Sequence, residues 1–130
     1  MKALSIYLTT ATLTIFTNLV FASPTQLITH NTTDVDSNAY IAGTIQSQHP
    51  TKAHSTGQVS WPLVKIACIG HTVNGQCQAL VKMATNTANP VELGTVSMNL
   101  ETGDITPKVL TGNGYTLIVN GPAETTLSKD

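Results

Sequence analysis

Short runs in which apolar and polar residues alternate recur along the chain from residue 39 onward. In the run CQALVKMAT, the alternate apolar positions are Cys77, Ala79, Val81 and Met83. A period of two residues is typical of a β-strand with one face in the core. About seven such runs, separated by Gly-, Pro- and Asn-rich turns, predict an all-β domain. The best-fitting architecture is a small antiparallel β-sandwich, with a small barrel as the alternative.

The alternation slips by one residue at two points. In QVSWPLVKIACI the apolar positions change from odd to even numbers beside Pro62, and the same change occurs at Gly94. A slip next to proline or glycine predicts a β-bulge or an edge position in a continuous strand. Trp61, the only tryptophan, falls on the apolar side of its run and is expected in the core. No 3.6-residue period in residues 23–130 is long enough to predict a helix.

The N-terminus has the layout of a secretory signal peptide. One lysine precedes a long uncharged stretch, and Ala22 provides a small residue before the expected cleavage site. The predicted boundaries are a signal peptide at 1–22, a flexible, polar N-terminal arm at 23–38 and one β-sandwich domain at 39–130. The protein is therefore expected to be secreted or periplasmic, without stable membrane insertion after cleavage.

The stretch CIGHTVNGQC contains both cysteines, Cys68 and Cys77. Two cysteines in an exported chain predict one disulfide. The spacing is too long for a C-x-x-C redox motif, and the two cysteines with one histidine are too few ligands for zinc. We predict that the cysteines face each other across a β-hairpin, with a four-residue loop as a candidate interaction site: His71, Thr72, Val73 and Asn74.

A competing register exists in the same hairpin. Asn74-Gly75 is the strongest sequence signal for a two-residue turn, and a turn centred there would place Val73 opposite Gln76. That turn would place Cys68 opposite Val81, with Cys77 four residues away along the strand, roughly 13 Å at ~3.3 Å per residue. This distance is too great for a disulfide, so the four-residue loop is the preferred hypothesis.

Composition narrows the function classes. The chain has no arginine, and residues 23–130 hold five lysines against seven carboxylates and no phenylalanine. Proteins that bind nucleic acids use a basic face and often aromatic platforms, which this sequence does not provide. The polybasic patch of a protein that binds anionic membranes is missing as well. The number of predicted strands fits an immunoglobulin-like architecture, but the two cysteines lie too close together for its usual inter-sheet pair, so the resemblance is one of architecture only.

Candidate chemical sites are sparse. His49 and His54 could be joined by the soft ligands Met83 and Met98 in a copper site. The segment from Asp34 to Asn38 imitates the start of a calcium loop but lacks its glycine and glutamate, and Glu101 with Asp104 could clamp a cation across a turn. Asn31-Thr32-Thr33 is a glycosylation acceptor in a eukaryotic source. No G-x-S-x-G motif marks a nucleophile. We therefore predict no catalytic residue, no metal and no cofactor.

The sequence thus predicts a small exported, non-enzymatic β-domain that acts as a binding or interaction module. Its partner would be an unidentified protein or small ligand. Two alternatives stay open: an inhibitor or protective protein of the cell envelope, and a metal-handling protein or hydrolase.

Overall fold

The computed structural model describes residues 23–130, which form two β-sheets packed face to face. The predicted signal peptide and its cleavage site lie outside the described residues. The all-β sandwich prediction is confirmed, and the described strands do not close into a barrel. Residues 23–130 contain eleven strands instead of about seven as predicted, in part because three of them are only two residues long. No helix among residues 23–130 has the length and apolar character needed to cross a membrane.

The first sheet has the strand order β4-β1-β11-β10-β9. Its neighbours are antiparallel, except that β1 and β11 run parallel. The bounds of its strands are β1 (Gln26–Asn31), β4 (Ser55–Ser60), β9 (Val109–Gly112), β10 (Tyr115–Gly121) and β11 (Glu124–Lys129).

The second sheet is antiparallel and has the order β3-β2-β6-β7-β8, with β5 paired to β6. Its strands are β2 (Ser37–Ile41), β3 (Ile45–Gln46), β5 (Thr72–Val73), β6 (Gln76–Met83), β7 (Val91–Asn99) and β8 (Ile105–Thr106). The four predicted inward residues of β6 are all buried. The slip at Gly94 is confirmed as a bulge, since Gly94 pairs with Val81 and Glu92 with Lys82, leaving Leu93 without a partner.

The prediction of a flexible arm at 23–38 is wrong. Strand β1 lies between β4 and β11 in the first sheet, and β2 begins at Ser37. The polar side chains of this region led to the prediction of a flexible arm, but in the structure some of them are buried and hydrogen-bonded. Asn31, for example, is 2% exposed. Its amide donates to the Val35 carbonyl at 2.8 Å and accepts from the Thr33 hydroxyl at 2.7 Å. A buried polar group costs little when it is hydrogen-bonded, so an apolar period was not required here.

The predicted strand and bulge around Pro62 are also wrong. Trp61–Ala67 is a helix, α1, with proline in its first turn. Proline suits that position because its fixed φ matches the helix and its missing N–H would have no intrahelical acceptor. Trp61, Val64 and Cys68 are buried, which is one helical face at i, i+3 and i+7. The change from odd to even apolar positions in the sequence therefore comes from this buried helical face together with Leu63 and Ile66, which are apolar but exposed.

The predicted four-residue hairpin loop is wrong, although the cysteine pair is present. Val73 pairs with Gln76 around a two-residue turn at Asn74-Gly75, both with positive φ. The sulfur atoms of Cys68 and Cys77 still lie at bonding distance, 2.11 Å. Both features coexist because Cys68 sits at the end of α1, and the chain turns at Gly70 before β5 starts. The geometric conflict depended on a continuous strand that does not exist.

Candidate ligand-binding cleft

A cleft of about 360 Å³ lies between the two sheets on the side where β3 and β4 form the sheet edges. The first sheet contributes residues from β1 and β4, and the second sheet contributes residues from β2, β3, β6, β7 and β8. Helix α1 closes part of this side with Leu63, Val64, Ile66 and Ala67. The volume falls in the range of about 300–1,000 Å³ that is usual for small-molecule sites.

The floor of the cleft is the core of the sandwich. The alternating residues that β2, β6 and β7 turn toward the first sheet line the cleft and are all buried: Ile41, Ala79, Val81, Val96 and Met98. At the mouth, the lining residues Ile45, Leu63 and Ile66 are 43%, 46% and 60% exposed. Apolar side chains therefore line the cleft at both its mouth and its floor, which is unfavourable in water unless a ligand covers them.

The polar side of the mouth is the segment Gln46–His49, which begins at the last residue of β3. This segment is held in place by hydrogen bonds to β2. The Ser47 N–H donates to the Ala39 carbonyl at 2.9 Å, and the Asn38 amide donates to the Ser47 carbonyl at 2.8 Å. The His49 N–H donates to the Ser47 hydroxyl at 3.0 Å. The side chains of Gln46 and Gln48 are exposed at this fixed edge and can donate or accept hydrogen bonds.

The electrostatic character of the cleft is neutral. None of its lining residues is Asp, Glu, Lys or Arg, and His49 is the only titratable side chain among them. None is Phe, Tyr or Trp either. With no carboxylate and no cysteine in its lining, this arrangement can exclude water and bind apolar groups.

The predicted interaction loop lies away from this cleft. His71, Thr72, Val73 and Asn74 are all exposed, and none of them lines the cleft. They belong to a segment that we call the tip, residues 69–75, which the disulfide ties to β6. Ile69 and Val73 in the tip are 73% and 72% exposed. Sequence reasoning found this segment but missed the cleft, because the cleft is formed by residues from seven strands and a helix that no local motif connects.

Comparison with known proteins adds the family. The family model described as "T2SS substrate NttC" matches residues 1–130. The chain belongs to this family. A solved relative is the crystal structure of the Legionella pneumophila type II secretion system substrate NttC, which is 60% identical, with a TM-score of 0.81. The match covers 83% of this chain and 100% of that chain. No curated protein matches.

Membership of the NttC family confirms that the protein is secreted or periplasmic. It also supports the fold, because 60% identity with a TM-score of 0.81 places both chains in the same architecture. The family description names a secreted substrate and gives no binding partner or reaction.

In this NttC-family chain the candidate metal ligands do not come together. No group of three or more His, Cys, Asp or Glu side chains among residues 23–130 could hold a metal ion. His49 and Met98 both line the cleft, whereas His54 is exposed in the loop between β3 and β4 and Met83 is completely buried. The four candidate copper ligands therefore do not all line the same cleft.

The calcium-like and carboxylate candidates have structural uses instead. Asp36 accepts a hydrogen bond from the Ala53 N–H at 3.0 Å. The Asn38 side chain donates to the Ser47 carbonyl at 2.8 Å and accepts from the Ala39 N–H at 2.9 Å. Asp104 pairs with Lys108, and Glu101 is exposed. These contacts explain the residues without a cation.

The glycosylation motif is closed in the folded protein. Asn31 is 2% exposed, and its amide nitrogen donates to the Val35 and Lys52 carbonyls at 2.8 and 3.2 Å. A glycan attached there would require this buried network to open.

The structure brings together three polar side chains that the sequence did not single out. His30 Nδ1 lies 3.1 Å from the Thr56 hydroxyl, and its Nε2 lies 2.6 Å from a Glu124 carboxylate oxygen. The order hydroxyl, imidazole, carboxylate resembles that of a catalytic triad. However, the three residues lie on neighbouring strands β4, β1 and β11, and His30 alternates with the inward residues Leu27 and Thr29, so the group is on the outer face of the first sheet. A triad needs a cavity and oxyanion donors, and backbone N–H groups here belong to the sheet ladder.

A polar depression of about 400 Å³ adjoins the mouth of the cleft. It is larger than the cleft but more open. Its polar groups already bond to one another, since the Asp36 N–H donates to the Asn86 side chain at 3.3 Å and Asn38 donates to Ser47. We therefore regard the apolar cleft, not this depression, as the candidate site.

Proposed function

We propose that this protein is an exported, non-enzymatic binding module that takes an apolar ligand into the cleft between its sheets. Its route would be that of the family, through signal-peptide cleavage after Ala22 and the type II secretion system, as for the similar Legionella pneumophila protein. The unused apolar surface at the mouth of the cleft is the observation that supports the binding role.

The energetic argument concerns the mouth residues. Ile45, Leu63 and Ile66 are exposed by 43–60%, and they border a cavity that continues into the core. Burial of apolar surface is worth about 25 cal/mol per Å², so an apolar ligand of modest size gains several kcal/mol by entering. A fold that needed only stability would gain by filling this cavity, because unfilled core volume is destabilising.

The test uses a neutral fluorescent probe, N-phenyl-1-naphthylamine, titrated into protein purified from its export compartment. Its emission should rise and saturate at one probe per chain. The variant Ile66→Glu should weaken binding at least ten-fold, because it places a charge at the mouth of a neutral cleft. Ile69→Glu is the matched control, since Ile69 is even more exposed but does not line the cleft, and this variant should bind normally.

Both substitutions are at exposed positions, so circular dichroism should show that both variants fold. The absence of saturable probe binding to the wild-type protein would contradict the proposal. Equal loss of binding in the two variants would also contradict it, since the probe would then be adsorbing to a general apolar surface.

A second candidate function is protein binding through the tip, as in an inhibitor of an envelope enzyme. It is favoured by the exposure of Ile69 and Val73 on a segment held by a disulfide. Pre-ordering of a loop removes part of the entropic cost of binding. The same variants separate the two functions, because capture of a protein partner would be lost in Ile69→Glu and Val73→Glu but kept in Ile66→Glu.

A further inference from the structure

Resting on the proposed function, we infer that the cleft binds one unbranched aliphatic chain of up to about twelve carbons, with an uncharged, hydrogen-bonding head group at the Gln46–His49 edge. The ligand class follows from three properties of the lining: its volume, its side-chain types and its lack of charge.

The volume sets the chain length. The cleft measures about 360 Å³. A methylene group needs about the volume of one liquid water molecule, ~30 Å³, so about twelve groups fill the space. A second chain would not fit, which excludes two-chain lipids as fully inserted ligands.

The side-chain types indicate an aliphatic ligand. The walls consist mainly of Val, Ile, Leu, Ala and one methionine, and they carry no Phe, Tyr or Trp. Flat rings gain most from stacking on aromatic side chains, so an aromatic probe would bind here by burial of apolar surface alone and should be displaced by an aliphatic chain. A flexible chain instead follows an irregular branched surface, and Met98 at the floor can adapt to it.

The polar edge defines the head group. Gln46 and Gln48 offer amide donors and acceptors, while no lysine or arginine lines the cleft. A carboxylate or phosphate held at this edge would lose water without meeting a cation, which is unfavourable. A hydroxyl or ester can exchange its water contacts for contacts with the two amides.

The experiment measures displacement of N-phenyl-1-naphthylamine by 1-alkanols of six to fourteen carbons at pH 8. Each added methylene should strengthen binding by up to about four-fold, the factor for ~0.8 kcal/mol per buried methylene. The gain should stop near twelve carbons. Dodecanoate, which is ionised at this pH, should bind about ten-fold more weakly than dodecanol.

A size variant tests the location. Ala67 is exposed and lines the cleft, so Ala67→Leu should narrow the cleft without disturbing the core, and the plateau should move to a shorter chain. Ile69→Leu is the control and should leave the plateau at twelve carbons.

The outcomes separate this inference from the proposed function. An affinity that keeps increasing through fourteen carbons, or an unchanged plateau in Ala67→Leu, overturns the single-chain assignment. Equal binding of dodecanoate and dodecanol overturns the uncharged head group. If the probe binds saturably but no alkanol displaces it, the inference fails while the proposed function stands, and failure of probe binding itself removes both.

Discussion

Removal of the disulfide between Cys68 and Cys77 should lower stability by an amount that the structure allows us to estimate. The bridge closes a segment with a sequence separation of nine, so the chain-entropy relation gives about 2.6 kcal/mol at 25 °C. Both cysteines are completely buried. In the variant Cys68→Ala/Cys77→Ala, loss of two buried sulfur atoms adds ~0.8 kcal/mol each if they count as methylenes, for a total of about 4 kcal/mol.

The assay is urea unfolding followed by the fluorescence of Trp61, which is 2% exposed and should shift to longer wavelength on unfolding. Because the bridge is buried, the wild-type protein must be reduced while unfolded and refolded in reductant. For a slope of ~1.5–2.5 kcal/mol per molar, the reduced protein should unfold about 1–2 M earlier in urea. The double alanine variant should be less stable still and should not respond to reductant.

Loss of the disulfide should also affect ligand binding in the cleft. Cys68 ends α1, and four residues of α1 line the cleft, so loss of the bridge should weaken probe binding even where the protein remains folded. The reasoning would be refuted if reduction lowered the free energy of unfolding by less than about 1 kcal/mol. Two free thiols in protein taken from its native compartment would also refute it.

Further predictions follow from individual contacts. Trp61 should emit at short wavelength, because its ring is buried and its indole N–H donates to the Leu100 carbonyl at 2.9 Å. For the same reason Trp61→Ala should lower the free energy of unfolding by about 3–5 kcal/mol, measured by urea titration with circular dichroism. Emission like that of free indole would contradict this. Gly112→Ala should cost about 1–3 kcal/mol, since an added Cβ would clash with the Leu93 carbonyl oxygen. Gly43→Ala is the comparison, because the added Cβ contacts nothing there and only the backbone is strained. Asn31→Ala should lower the melting temperature by several degrees through the polar groups it leaves unpaired, and an unchanged value would show that water replaces them. Mass spectrometry of the exported protein should find its N-terminus at Ser23, and an intact Met1 would contradict cleavage.

The strands with one apolar face were predictable from the sequence. In β6, burial alternates residue by residue because only one face meets the other sheet, and the bulge at Gly94 shows in the same pattern. Strand β1 was not predictable in this way. Its inward residues include Thr29 and the buried Asn31, whose hydrogen-bond partners lie in loops that only the folded chain brings near.

Helix α1 was missed because seven residues give less than two turns of pattern, and its Val and Ile content favours strands. This error led to a second one in the hairpin. The turn signal at Asn74-Gly75 was correct, but it was rejected because it would have separated the cysteines along an assumed strand. The cleft could not be predicted, since Leu27, Ile66 and Ile105 share it only through the sandwich topology.

The parallel pairing of β1 with β11 governs when the domain can be completed. Ile28 is the register partner of Glu124, so β1 cannot pair with β11 until the residues of β11 have been synthesised. The strands of the second sheet all lie between residues 37 and 106 and can pair earlier. During synthesis the first sheet therefore cannot be completed until residues 124–129 have been made. Contacts over such sequence separations form slowly, so we expect closure of the first sheet to be a late step in folding.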